Sequence, residues 1–232
     1  MRIERTSVLA VLAIIALLHF NAASQAAITN AVLTDDAFID NYDATTASTP
    51  QSHTGNLGFQ NTLTGNSTGG PRDQHVYFMF DVSGIGINTS ISNATLTVRA
   101  RNDTASAFSI EVFALTSDSW DETTLTHNNS TTITVGGSQG TATLESLGAG
   151  TSQLDAFDVT SFVQNQVNLS DSIVGFKIST VGNAPGGFLR SKEHSNQAEH
   201  PWLSLVIDSQ PVPEPAVLGA VILCGAMLIR RR

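Results

Sequence analysis

Tyr77-Phe78-Met79-Phe80-Asp81-Val82 and Ala94-Thr95-Leu96-Thr97-Val98-Arg99-Ala100-Arg101 are the stretches on which the fold reading turns. In the second, Ala94, Leu96, Val98 and Ala100 form an apolar row, opposed by Thr95, Thr97, Arg99 and Arg101. A period of two marks a strand with one buried face. In the first, Phe78, Phe80 and Val82 point one way, and Tyr77, Met79 and Asp81 the other. Residues 108–114, 173–178 and 202–207 read the same way, with Lys177 and Trp202 on the outward parity. Turn clusters separate these runs: Ser83-Gly84, Asn102-Asp103, Gly136-Gly137, Gly182-Asn183 and Pro185-Gly186-Gly187. Short strands without intervening helices predict an all-β fold, an antiparallel jelly-roll-type β-sandwich. The exception is 158–168, where Asp158 or Thr160 can cap one short helix that turns Phe162, Val163 and Val167 inward.

Outward from these strands, composition limits the options. The 232-residue chain is 41% hydrophobic and 13% charged, neither a multi-span membrane protein nor a charge-rich disordered chain. Residues 27–210 hold 6 basic and 18 acidic side chains, which argues against a nucleic-acid partner. That length suffices for one domain with one core. The single cysteine, Cys224, lies near the C-terminus, so the body has no disulfide.

Both ends read as targeting helices. Arg2 and Arg5 precede an apolar run from Val8 to Leu18, followed by small residues to Ala27. This is the form of a secretory signal peptide over residues 1–26; an uncleaved anchor is the alternative. At the other end, residues 211–232 contain Val212-Pro213-Glu214-Pro215, an apolar segment 216–229 and Arg230-Arg231-Arg232. Fourteen helical residues reach about 21 Å, short of a hydrocarbon thickness of roughly 30 Å. The arginines belong on the cytoplasmic side, with the body outside. The three-part pattern resembles the PEP-CTERM sorting signal of bacterial envelope and exopolysaccharide-associated proteins. That resemblance implies an exosortase-type partner reading Pro213, Glu214 and Pro215, and a body exported across the inner membrane to the envelope, cell surface or extracellular matrix.

A second resemblance runs in order through the body. Asp36-Ala37-Phe38-Ile39, Tyr77 to Ser83, Ser92 to Val98, Trp120-Asp121-Glu122-Thr123-Thr124-Leu125-Thr126, Phe157-Asp158-Val159-Thr160, Ser191-Lys192-Glu193 and Pro201-Trp202-Leu203 are similar to successive segments of the DNRLRE domain. That domain overlaps the family 96 carbohydrate-binding modules, which implies a jelly-roll sandwich recognising alginate-like polysaccharide. The chain departs from the pattern at His127, where tryptophan is common, and at Trp202, where tyrosine is.

Five of the body's six basic residues fall on outward parity: Arg99, Arg101, Lys177, Arg190 and Lys192, with Tyr77 and Trp202 beside them in pattern. Guanidinium forks bind carboxylates and aromatic faces stack on rings, so these seven are the candidate ligand-binding residues for an acidic sugar chain. Parity leaves open which of them share a face. Asp35, Asp36 and Asp40, with Asp43, gather oxygen ligands that suit Ca²⁺; the spacing is not an EF-hand, and a solvated acidic turn is the alternative. No other cofactor is expected. Gly65-Asn66-Ser67-Thr68-Gly69 fits a nucleophile pattern but lacks the strand–turn–helix context. Glu193-His194 and Glu199-His200 read as exposed loop residues, their histidines too far apart for a helical zinc motif. The expectation is a non-catalytic, exported carbohydrate-binding sandwich. The alternative is a structural cell-surface or matrix protein without specific glycan binding.

Overall fold

The structure, a computed structural model, describes residues 26–42, 55–62, 70–148 and 150–208. The apolar run at 8–18, Asp43, the 65–69 glycine motif and the tail with Pro213, Glu214 and Pro215 lie outside the described residues. Ala27–Ile207 forms one compact unit. No helix among the described residues is long and apolar enough to cross a membrane.

The described residues of this unit form ten strands. They are β1 (Ala27–Asp40), β2 (Asn56–Thr62), β3 (Arg72–Asp81), β4 (Ile91–Asn102), β5 (Phe108–Leu115), β6 (Val135–Leu144), β7 (Gln153–Asp158), β8 (Ile173–Thr180), β9 (Ala184–Arg190) and β10 (Trp202–Ile207). One helix, α1 (Thr160–Asn168), follows β7. Every strand pair is antiparallel.

Two strands change partners along their length and so join two layers. β1 pairs with β10 over residues 27–31 and with β3 from Val32 onward, with an irregularity between Leu33 and Asp35. β2 pairs with β9 from Asn56 to Asn61 and, over Gln60–Thr62, with β3 as well. One layer therefore holds β10, β4, β7 and β9; the other holds β3, β8, β5 and β6. Their facing rows meet in one cluster: Ala94, Leu96, Val98, Leu203 and Leu205 from the first, and Phe78, Phe80, Val112, Val174 and Phe176 from the second. The fold is sandwich- or barrel-like. Full burial of each large apolar side chain here stabilises the fold by about 1.5–3 kcal/mol. Phe176 is central, edge-on to Phe80 at 6.2 Å and to Phe162 at 5.5 Å.

The helix covers one end of that core. Val163 and Val167 are buried and Phe162 packs against the cluster. Its N-cap is Val159, which makes no side-chain cap bond, so neither Asp158 nor Thr160 is the cap. Asp158 instead accepts the Thr160 N–H at 3.0 Å, while the Thr160 hydroxyl accepts the Ala94 N–H at 2.8 Å. The helix start is thereby bonded to β4.

Two of the expected turns are strands. Gly136-Gly137 lies in β6, and Pro185-Gly186-Gly187 in β9. The β9 glycines are there because backbones come too close for a side chain. A Cβ on Gly187 would stand 2.2 Å from the Arg101 carbonyl oxygen, and one on Gly186 (φ +91°) 2.4 Å from that of Phe59.

Candidate functional site

The outward row of β4 forms the centre of an open face. Cross-strand pairing puts Arg101 beside Phe188, Arg99 beside Leu154, and Thr97 between Trp202 and Ala156. Arg190 lies two residues beyond Phe188 on β9, on the same side. Of the seven candidate ligand residues, Arg99, Arg101, Arg190 and Trp202 thus share one surface, joined by the exposed Phe188 and Leu154. The Arg101 guanidinium lies over the Phe188 ring, 5.1 Å from its centroid, and its Nη2 pairs with Asp103 at 2.7 Å. Arg190 pairs with Glu199 at 2.8 Å and donates to Asn56 Oδ1 at 2.6 Å. Arg99 is held by the Ser152 hydroxyl at 3.4 Å. No carboxylate among the described residues pairs with it. Its charge is the most available of the three.

Tyr77 does not belong to this surface. The outward side of β3 is covered by residues 116–134, which cross it as a third layer. Trp120, Leu125 and Ile133 pack there on Ala37, Ile39, Tyr77, Met79 and Leu115, leaving Tyr77 2% exposed. The Trp120 indole meets the Tyr77 ring edge-on at 5.9 Å. Strand parity was right about direction but blind to this cover. The layer has turn chemistry in place of helix or strand: Asp121 accepts the Thr123 N–H at 2.8 Å, and Asn129 bonds the Thr126 N–H and the Thr124 carbonyl. Burial pushes the Tyr77 hydroxyl up to about 12, against a hydrogen bond with Ser130.

Lys177, opposite Tyr77 on β8, stands at the margin of that cover with Asp73, His75 and His127. Burial lowers its pKa, opposed by the Asp73 charge. His75 Nε2 lies 3.0 Å from Asp73 Oδ1, and His127 Nε2 3.8 Å from Oδ2. Burial holds the His75 imidazole below its ordinary 6.5 despite the Asp73 hydrogen bond, and the charges of Lys177 and His127 act in the same sense. Burial would raise Asp73, but its bond to His75 and the surrounding positive charges bring it below 3.8. This cluster was not legible in the sequence, because its members come from β3, β8 and the covering segment. An acid–imidazole pair can orient a base. The pocket formed by Thr29, Val32, Asp81, Gly84 and Ile207 is lined by none of these residues.

The acidic residues of β1 separate. Asp40 turns to Arg72 at 2.8 Å and to Gln74 at 2.7 Å, and so belongs to an ion pair apart from Asp36. Asp35 is half-buried at the β1 irregularity. Asp36 is 0% exposed and meets Glu122 and Glu193, with one carboxylate oxygen of each lying within 4.8 Å of the others. The structure therefore does not bring Asp35, Asp36 and Asp40 together; strand geometry spreads residues four apart over about 13 Å. Asp36 Oδ2 accepts the Lys192 N–H at 2.5 Å, while Oδ1 is buried without a partner. Burial pushes the Asp36 carboxyl up to about 8, with the neighbouring glutamates adding to the rise and the Lys192 bond opposing it.

Lys192 is absorbed by this cluster and does not join the β4 face. Its ammonium bonds the Glu122 carboxylate, donates to the Thr34 carbonyl at 2.6 Å and lies 3.8 Å from Glu193. The following loop is also less open than expected: His194, Glu199 and His200 are half-buried, and His200 Nε2 lies 2.7 Å from the His194 carbonyl.

The model of carbohydrate-binding module family 96 matches residues 27–206. No curated protein matches the chain. The match spans the whole strand-built unit, and the chain belongs to carbohydrate-binding module family 96.

Proposed function

With family membership as the premise, we propose that this chain is an exported, non-catalytic carbohydrate-binding protein whose β4 face holds an acidic polysaccharide. The observation that carries the reading is the alternation on that face: Arg99 and Arg101 on β4 are flanked by Phe188, Leu154 and Trp202 from three neighbouring strands. Arg99 and Arg101 are spaced about 7 Å apart along the strand. Each guanidinium can donate two parallel N–H bonds to a carboxylate, and the apolar side chains accept the less polar faces of sugar rings. The face is laid down by strands and needs no reordering to bind. The overall charge of −9 stays compatible with an acidic ligand because this basic group is local. We read the fold more finely as a jelly-roll-type sandwich, supported by the antiparallel pairing of sequence-distant strands and by the two strands that join its layers.

Export and sorting rest on the sequence alone. The basic and apolar N-terminus supports a signal peptide over 1–26, and Pro213-Glu214-Pro215, segment 216–229 and the terminal arginines support a PEP-CTERM tail. In this reading an exosortase-type enzyme processes the tail, and the body works at the envelope, the cell surface or the extracellular matrix.

The test is affinity electrophoresis of the purified chain through gels containing alginate, polygalacturonate or a neutral glucan. Retardation by the uronate polymers, reduced in an Arg99→Ala/Arg101→Ala double variant, is expected. Equal mobility in all gels would leave a structural surface protein as the better reading.

A further inference from the structure

The cluster around Asp36 joins three parts of the chain far apart in sequence. Asp36 lies on β1, Glu122 in the segment that covers β3, and Glu193 in the loop after β9. Two observations beyond the acidity of the group point to a ligand. First, Asp36 is wholly buried and its Oδ1 has no hydrogen-bond partner, a costly state for a carboxyl unless something meets it. Second, the charges do not balance. Lys192 is the single cation paired with these three carboxyls among the described residues, and its ammonium is already taken up by Glu122 and the Thr34 carbonyl.

We propose that Asp36, Glu122 and Glu193 bind a Ca²⁺ ion that ties the covering segment and the post-β9 loop to β1. Hard oxygen ligands of this kind suit Ca²⁺, which takes six to eight of them at about 2.3–2.6 Å. Two oxygens held by one ion at about 2.4 Å can stand at most about 4.8 Å apart. The three carboxylate oxygens lie within 4.8 Å of one another, so small side-chain movements bring all three onto one ion. A smaller, strictly octahedral Mg²⁺ needs closer oxygens and fits less well. Lys192 keeps its place on Glu122 and the Thr34 carbonyl. The consequence is structural. The covering segment has no regular secondary structure beyond a 3-10 turn at Ser130–Thr132, and an ion at Glu122 fastens its near end. The inference does not rest on sugar binding at the β4 face.

The test uses the full chain, measured by thermal unfolding in EDTA, in Ca²⁺ and in Mg²⁺, together with Tb³⁺ luminescence excited through Trp120, two residues from Glu122. Saturating Ca²⁺ is expected to raise the melting temperature by about 5 °C over EDTA, with a smaller rise in Mg²⁺. Tb³⁺ is expected to luminesce and be displaced by Ca²⁺. Glu193 is exposed, so the near-isosteric Glu193→Gln is expected to fold and to abolish the Ca²⁺ shift. Identical melting of the parent chain in Ca²⁺ and EDTA overturns the proposal, and so does a full-sized shift in Glu193→Gln. Either result would make the cluster a self-contained lysine–carboxylate lock.

Discussion

Arg101 faces Phe188 across the β4–β9 ladder, with its guanidinium 5.1 Å from the ring centroid. The ring holds the charge in place and is itself 37% exposed, so the pair offers a cation and a flat apolar surface side by side. An exposed cation–π pair is worth about 0.5–1 kcal/mol. Phe188→Ala is expected to weaken binding to a uronate polymer about fivefold, with the melting temperature nearly unchanged. Affinity electrophoresis and thermal unfolding measure the two effects separately.

Arg99 has no carboxylate partner among the described residues, unlike Arg101 and Arg190. Removing it takes away a cation that a ligand carboxylate can use without displacing an internal one. Arg99→Ala is expected to reduce affinity about tenfold, and Arg99→Lys to restore only part of it, because an ammonium cannot reproduce the planar fork. Titration calorimetry with uronate oligomers checks both. The loss is expected to shrink as salt is raised, since the face is open to solvent.

Gly187 sits where β9 crosses close to β4. A Cβ there would meet the Arg101 carbonyl oxygen at 2.2 Å, and the atom in the way is backbone, not a movable side chain. Gly187→Ala is expected to destabilise the fold by about 1–3 kcal/mol. It should also disturb the Arg101–Phe188 pair, so uronate affinity falls with stability. Denaturant unfolding and affinity electrophoresis of the same variant measure this.

His75 is buried beside Asp73 on β3, with Lys177 of β8 and His127 of the covering segment facing the pair. Its pKa in the folded chain is below the ordinary 6.5, so the unfolded chain binds more protons in the window below 6.5. The associated stability is fully present above pH 6.5 and is lost as pH falls through the folded pKa. Asp73, also lowered, acts in the same direction but only below its ordinary 3.8. Between pH 7.5 and 5 the melting temperature of His75→Gln is expected to fall less than that of the parent chain. Taking the difference between the two curves cancels the titrating groups that lie away from His75.

Five strands were legible from alternation alone, because β3, β4, β5, β8 and β10 each carry a clean apolar row. The others hid for local reasons. β1 is interrupted by Asp35 and Asp36 where it changes partners, β6 and β9 are rich in glycine, and β2 and β7 are short and polar. Gly186 and Gly187 look like turn residues in sequence; only the approach of Phe59 and Arg101 shows why a strand needs them.

By itself the sequence determined the all-β class, the placing of one short helix and the direction in which each β4 side chain points. Those are consequences of the two- and 3.6-residue periods, which are local. Tertiary structure decided what stands in front of each face. The segment at 116–134 buried Tyr77, the ladder brought Phe188 beside Arg101, and chain closure carried Glu122 and Glu193 to Asp36 while Asp40 went to Arg72. Parity fixes which way a side chain leaves its strand. What it meets there depends on contacts between residues tens of positions apart, which no local period records.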